Sequence, residues 1–125
     1  MEKCSGVSIL SADTRRRIIE QLALNLSYRQ LANSLGVSPA AIYKYLSGKS
    51  TPRDEVICRA LALAGDLGLT EIGELILEDL ARELEGLLDK LIEYELASSE
   101  HIARLADVVG RAKLVLAASL RAHSR

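Results

Sequence analysis

Apolar residues recur along most of the chain in steps of three and four, the period of a helix packed along one face. Few stretches alternate apolar with polar residues as a half-buried strand does. The first such face comprises Ile18, Ile19, Leu22 and Leu26, and its helix is expected to reach about Asn25. Ser11 can cap its start, and Asp13 suits its positive end. Ser27 opens a second, shorter helix with Leu31, Ala32 and Leu35 on its face and Gly36 at its end. A third starts at Ser38-Pro39, with Ser as the cap and Pro at the first helical position. It turns Ile42, Tyr45 and Leu46 inward and stops at Gly48. Thr51, Pro52 and Asp54 repeat the start signal for a fourth helix. This one runs to about Ala64 and buries Val56, Ile57, Ala60, Leu61 and Leu63. Residues 1–10 show no period and read as a short arm.

Residues 65–68, with two glycines, read as a joint. Thr70 then caps a long helix with Glu71 and Glu74 in its first turn. It is expected to reach about Ala97, roughly 40 Å at 1.5 Å per residue. Leu77, Leu80, Leu84, Leu87, Leu91 and Tyr94 follow alternating steps of three and four, a heptad seam. Leu75, Ile76, Leu88 and Ile92 widen that seam beyond what one partner helix covers. Ser98 and Ser99 break the run and can cap a last helix, near whose start Glu100 lies. There Ile102, Leu105, Val109, Ala112, Leu116 and Leu120 repeat the rhythm, and Arg104, Arg111, Lys113 and Arg121 can face the acidic helix before it. A short connection makes neighbouring helices antiparallel, so this half reads as a helical hairpin. The expected domains are 1–65, four short helices, and 66–125, the hairpin.

Composition agrees with helix. There is no Trp, no Phe and only four Tyr, so Leu, Ile, Val and Ala must fill the core, and Leu and Ala favour helix. The expected class is all-α. A length of 125 residues suits one compact domain, or a small domain with an appendage. No run of about 18 uncharged apolar residues is present, so no membrane span is expected. Residues 1–10 do not read as a secretory signal, and a cytoplasmic location is expected. Cys4 and Cys58 stand far apart in unrelated contexts. They make no metal motif, a disulfide framework is not expected, and Cys58 reads as a small buried helix residue.

Charge divides the chain. Residues 1–59 carry nine Lys and Arg against five Asp and Glu, a balance of +4. Residues 60–125 carry seven against twelve, a balance of −5. Only the first half would be drawn to phosphates.

The informative stretch runs from Tyr28 to Leu46, YRQLANSLGVSPAAIYKYL. Ala32 is small where two helices must approach closely. Gly36 permits a left-handed turn, Val37 can plug the angle, Ser38 caps the second helix, and Ile42 and Leu46 fix it on the core. This pattern resembles the helix-turn-helix of transcription regulators. With the following Ser47-Gly-Lys-Ser-Thr-Pro-Arg and one more apolar helix, it is similar to the Cro/C1-type (XRE-like) branch over about residues 11–64. The Tyr-Lys-Tyr-Leu ending is also similar to the motif of resolvases and TetR-like repressors. The long hairpin departs from the pattern, standing where a compact fifth helix is usual.

The resemblance implies double-stranded DNA as partner, with the second helix of the motif entering the major groove. Pro39, Ala40, Tyr43 and Lys44 would face the groove. Lys44 would donate to guanine or to a phosphate, and Ala40 would touch a thymine methyl. Tyr28, Arg29 and Gln30, with Ser38, would hold backbone phosphate, and Lys49, Ser50 and Arg53 form a second phosphate candidate. Arg15, Arg16 and Arg17 are either phosphate contacts or a solvated helix face. Base contacts look sparse, which leaves room for readout of DNA shape.

Two copies reading an inverted repeat would follow if the hairpins pair into a four-helix dimerisation bundle. That bundle would bury Leu77, Leu80, Leu84, Leu87, Leu91, Val109 and Leu116. The other reading of the hairpin is that it folds back on its own chain. No glycine-rich phosphate loop, metal-ligand cluster or nucleophile motif is present, so neither an enzyme nor a cofactor or metal site is expected. The alternative class is a protein-interaction adaptor, or an antitoxin-like or mobile-element control protein, that works through the acidic hairpin.

Overall fold

The computed structural model describes residues 4–123, with side chains as far as residue 119, so the side chains of Leu120 and Arg121 lie outside the described residues. A single 3-10 turn, Val7–Ile9, precedes six helices. They are α1 (Ala12–Ala23), α2 (Tyr28–Leu35), α3 (Pro39–Ser47), α4 (Asp54–Asp66), α5 (Thr70–Glu93) and α6 (Ser99–His123). The chain forms two compact units, one ending at Glu83 and the other beginning at Leu84. No helix among the described residues is long and apolar enough to cross a membrane.

In the first unit, the anticipated caps organise the helix ends. Ser11 Oγ accepts from the Thr14 amide and Ser38 Oγ from the Ala41 amide, each at 3.1 Å. Ser27 and Gln30 form a reciprocal capping box, each side chain bonding the other's backbone amide. Each cap gives one orphan amide of its first turn a partner. Gly36 and Gly48 end α2 and α3 with φ of 69° and 77°, in the left-handed region where a Cβ is penalised.

Ile18, Ile19, Leu22, Leu31, Leu35 and Ile42 are fully buried, and Val56, Ala60, Ala64 and Ile72 complete the same cluster. Burying each large aliphatic side chain contributes about 1.5–3 kcal/mol. Tyr45, 8% exposed, belongs to this core with Ile42. Ile72 draws the start of α5 into it, so the joint at residues 65–68 ends a helix without ending the packed core. Ile76 also packs there, while Leu77 points away and is 67% exposed.

The N-terminal arm overturns one expectation. Cys4 and Cys58 are joined by a disulfide with their Cα atoms 6.1 Å apart, within the span such a bond needs. Sequence separation had concealed the pairing, because the arm folds back across α4. Val7 is buried against the domain, and Arg15 grips the arm's backbone. Arg15 is itself only 7% exposed. Its guanidinium donates to Leu10 O at 3.1 Å, Val7 O at 2.9 Å, Pro52 O at 2.9 Å and the Asp54 carboxylate at 2.7 Å. Four acceptors satisfy a charge that would otherwise be costly to bury.

In the second unit, α5 finishes at Glu93, four residues before the expected Ala97. Glu95 adopts a left-handed φ of 57°, and the Leu96 amide returns to Leu91 O at 2.7 Å, which closes the last turn. Ser98 caps α6 by accepting from the His101 amide. Leu87, Ile92, Val109, Leu114, Val115 and Leu116 are all exposed. Leu84, Leu88, Leu91 and Leu105 are half-buried.

Candidate nucleic-acid interface

The geometry around α3 follows from the turn before it. Val37 N–H returns to Ala32 O at 3.0 Å through the left-handed Gly36. Arg59 Nη1, from α4, donates to Leu35 O at 3.0 Å and so ties off the end of α2. Ala32, 1% exposed, allows close approach of α2 and α3, the most extensively packed pair of helices in this unit. Ile42 and Tyr45 anchor α3 from beneath.

What remains outward on α3 is Pro39, Ala40, Tyr43 and Lys44, all exposed. Tyr43 is 62% exposed yet its ring is not loose: Tyr28, at the first position of α2, meets it edge to face with centroids 4.7 Å apart. Such contacts are worth about 0.5–1.5 kcal/mol beyond area burial. Arg29, Gln30, Asn33 and Pro39 border one cleft floored by Ala32 and Val37. The structure thus brings Tyr28 to Tyr43, and Arg29 and Gln30 to Pro39. Lys49 and Arg53 are exposed on the loop that follows α3, and Ser38 is engaged as a cap. Asn33 was not singled out from sequence, and its only signal there was its place one turn after Arg29 and Gln30.

The cations of α1 and those around α3 differ. Arg15 pairs with Asp54. Arg16 pairs with Asp13 and Glu20, and Arg17 with Asp79 at 2.6 Å. The hydrogen bond to Asp13, then the charge of Glu20, hold the Arg16 guanidinium still more firmly protonated than usual. Arg15 and Arg17 are therefore not a simple solvated face, whereas Arg16 pairs only along the exposed surface of its own helix. Each is committed within the chain. In contrast, Arg29, Lys44, Lys49 and Arg53 have no carboxylate partner among the described residues. Of the cations expected to face the acidic helix, Arg111 pairs instead with Asp107 of its own helix at 3.9 Å.

Sequence reasoning also missed Asp79. It is 4% exposed and accepts from Thr14 Oγ1 at 3.1 Å and from Arg17 Nη1 at 2.6 and 2.8 Å. Burial alone would raise its pKa. The hydrogen bonds from Arg17 and Thr14, with the charges of Arg17 and Arg82, outweigh that and hold the carboxyl below its ordinary range. Its signal was register, for Asp79 stands seven residues after Ile72, on the inward side of α5. Among the described residues, no group of three or more His, Cys, Asp or Glu is placed to hold a metal ion.

Two short capped helices crossing at a glycine turn, the second with an outward polar face, define a DNA-binding helix-turn-helix. The family model described as helix-turn-helix matches residues 16–72. Over these residues the chain is similar to the Cro/C1-type, XRE-like family of DNA-binding transcription regulators. No curated protein matches the chain. No solved structure matches it either.

Proposed function

We propose that the protein binds double-stranded DNA as a homodimer, with α3 entering the major groove N-terminal end first and two copies reading an inverted repeat. The observation that carries this reading is the contrast between committed and uncommitted cations. Arg29, Lys44, Lys49 and Arg53 keep their charge for a partner outside the chain, while the arginines of α1 do not. In this reading Ala40, Tyr43 and Lys44 meet base edges, with Pro39 seating the helix. Tyr28, Arg29, Gln30, Ser38, Lys49 and Arg53 hold the backbone on either side. Recognition is by binding alone, with no chemistry at the site, and the protein acts as a repressor.

Pairing supplies the second half-site, about 34 Å away along the duplex. The seam formed by Leu77, Leu80, Leu84, Leu87 and Leu91, with Val109 and Leu116 of α6, serves as the interface. This assigns pairing to the region after about residue 65. Leu77, Leu87, Val109 and Leu116 are each more than half exposed, an apolar surface that a second copy would cover.

The same exposed surface favours one alternative: an adaptor, or an antitoxin-like or mobile-element control protein, in which the acidic helices bind a different protein. Selection of bound sequences from random DNA, followed by a mass measurement of the complex and a salt titration, separates the two. The DNA reading expects a two-fold symmetric site, two chains per duplex, and affinity that falls steeply with salt as phosphate contacts release counterions. Recovery of no sequence preference, with salt-insensitive binding, would exclude it.

A further inference from the structure

Asp79 is a buried carboxylate on a helix whose neighbouring acids, Glu74, Glu78 and Glu83, all face solvent. Its partners come chiefly from the first turns of α1. Thr14 Oγ1 donates at 3.1 Å, and one nitrogen of Arg17 bridges both carboxylate oxygens. Thr14 is 3% exposed and is held in turn by the cap residue Ser11, whose hydroxyl donates to Thr14 Oγ1 at 3.0 Å. Arg82 closes the outer side at 3.2 Å.

Stability alone does not account for such a site, since apolar residues of similar volume often replace a buried ion pair at no loss. What the charge and hydrogen bonds supply is direction. Apolar contacts at Ile72 and Ile76 hold the helix but tolerate rotation and tilt. A carboxylate that must meet two donors does not. Asp79 lies beyond the matched residues 16–72, while its partner Arg17 lies within them.

We infer that Asp79, through Thr14 and Arg17, is a positioning residue that sets the direction of α5 on α1, and thereby the half-site spacing that a pair of chains accepts. This rests on the dimeric DNA-binding reading above. Ile72 and Ile76 hold the near end of this stretch of α5 and Asp79 its far end, about 10 Å from Ile72, so removal of Asp79 frees the far end to swing. Glu83, the last residue of the first unit, lies roughly 16 Å along the axis from Ile72. A swing of about 10° moves it about 3 Å, close to the rise of one base pair. Loss of the clasp therefore blurs spacing by a base pair or more without touching α3.

The test uses the full chain and a set of inverted-repeat duplexes whose half-sites are separated by successive spacer lengths, with a single half-site as control. The variants are Asp79→Leu, Asp79→Asn and Arg17→Gln, the last approaching the clasp from α1 should the Asp79 variants fold poorly. The wild type is expected to favour one spacing by about tenfold over its neighbours, as geometry governs the effective concentration of the second contact. The variants are expected to bind the single half-site as the wild type does, while their spacing preference drops to within about threefold. A dimeric Asp79→Leu protein that keeps the wild-type spacing profile overturns the role of Asp79 alone. A wild type that is monomeric by light scattering and indifferent to spacing overturns the dimeric reading and this inference with it.

Discussion

Gly36→Ala perturbs the turn on which the orientation of α3 depends, and its cost can be assembled from three parts. The first is conformational: at φ 69° an added Cβ meets its own backbone, which costs about 1–2 kcal/mol. The second is local, because that Cβ would lie 2.9 Å from Arg59 Nη1. The guanidinium is the free end of a long side chain and can swing aside. The steric clash is therefore cheap, and what is lost is the hydrogen bond to Leu35 O, worth about 0.5–1.5 kcal/mol. The third part has the opposite sign, since alanine narrows the unfolded ensemble and returns about 0.4–1 kcal/mol.

The net expectation is a loss of about 0.5–3 kcal/mol, read as a lower urea midpoint at unchanged slope. The same substitution in an Arg59→Ala background isolates the second part. There the guanidinium is absent, so Gly36→Ala should cost less by the energy of the lost bond. Equal costs in the two backgrounds would show that Arg59 does not cap α2 in solution. A cost near zero in both would refute the left-handed turn itself.

Four further outcomes follow from the same contacts. Lys44→Ala should weaken binding to the selected site while the urea midpoint stays put, and the slope of log affinity against log salt should fall by about one if Lys44 touches phosphate. An unaltered affinity would remove Lys44 from the interface. Leu84→Asp combined with Leu91→Asp should give monomers and poor operator binding, and a mutant still dimeric by light scattering would move the interface elsewhere. Cys58→Ser opens a link spanning 54 residues of sequence and should cost about 2–4 kcal/mol, measured by urea unfolding without reductant. Identical midpoints for wild type and variant would show that the bond contributes nothing.

The fourth outcome concerns acid. Because Asp79 has a folded pKa below its unfolded value of 3.8, its stabilisation is complete above that value. It is lost as pH falls through 3.8 toward the folded value. Asp79→Asn should therefore flatten the acid limb of stability against pH and leave the shape above pH 5 unchanged. An acid limb as steep as wild type would place the linkage on another group.

The starts of α1, α2 and α3 and the glycine stops of α2 and α3 were legible from the chain alone, because they are short-range chemistry, whereas Thr51 and Thr70 cap nothing among the described residues and α5 stops short of Ala97. A hydroxyl two or three residues before an amide, a proline at the first helical position, or a glycine where φ must be positive acts within a single turn. Ser11, Ser27, Ser38, Gly36 and Gly48 accordingly sit where the pattern placed them. The buried side of each short helix was readable for the same reason, since a 3.6-residue period brings Ile18 beside Leu22 whatever surrounds them. Partnerships across the fold were not readable. Arg15, Arg16 and Arg17 are one run of identical residues, yet one is buried under the arm, one bridges its own helix and one clasps Asp79, some 60 residues away. Cys4 reached Cys58 by the same kind of closure. Such contacts depend on which helix faces meet in space. The long-range packing that decides this leaves no periodic mark on the residues it brings together.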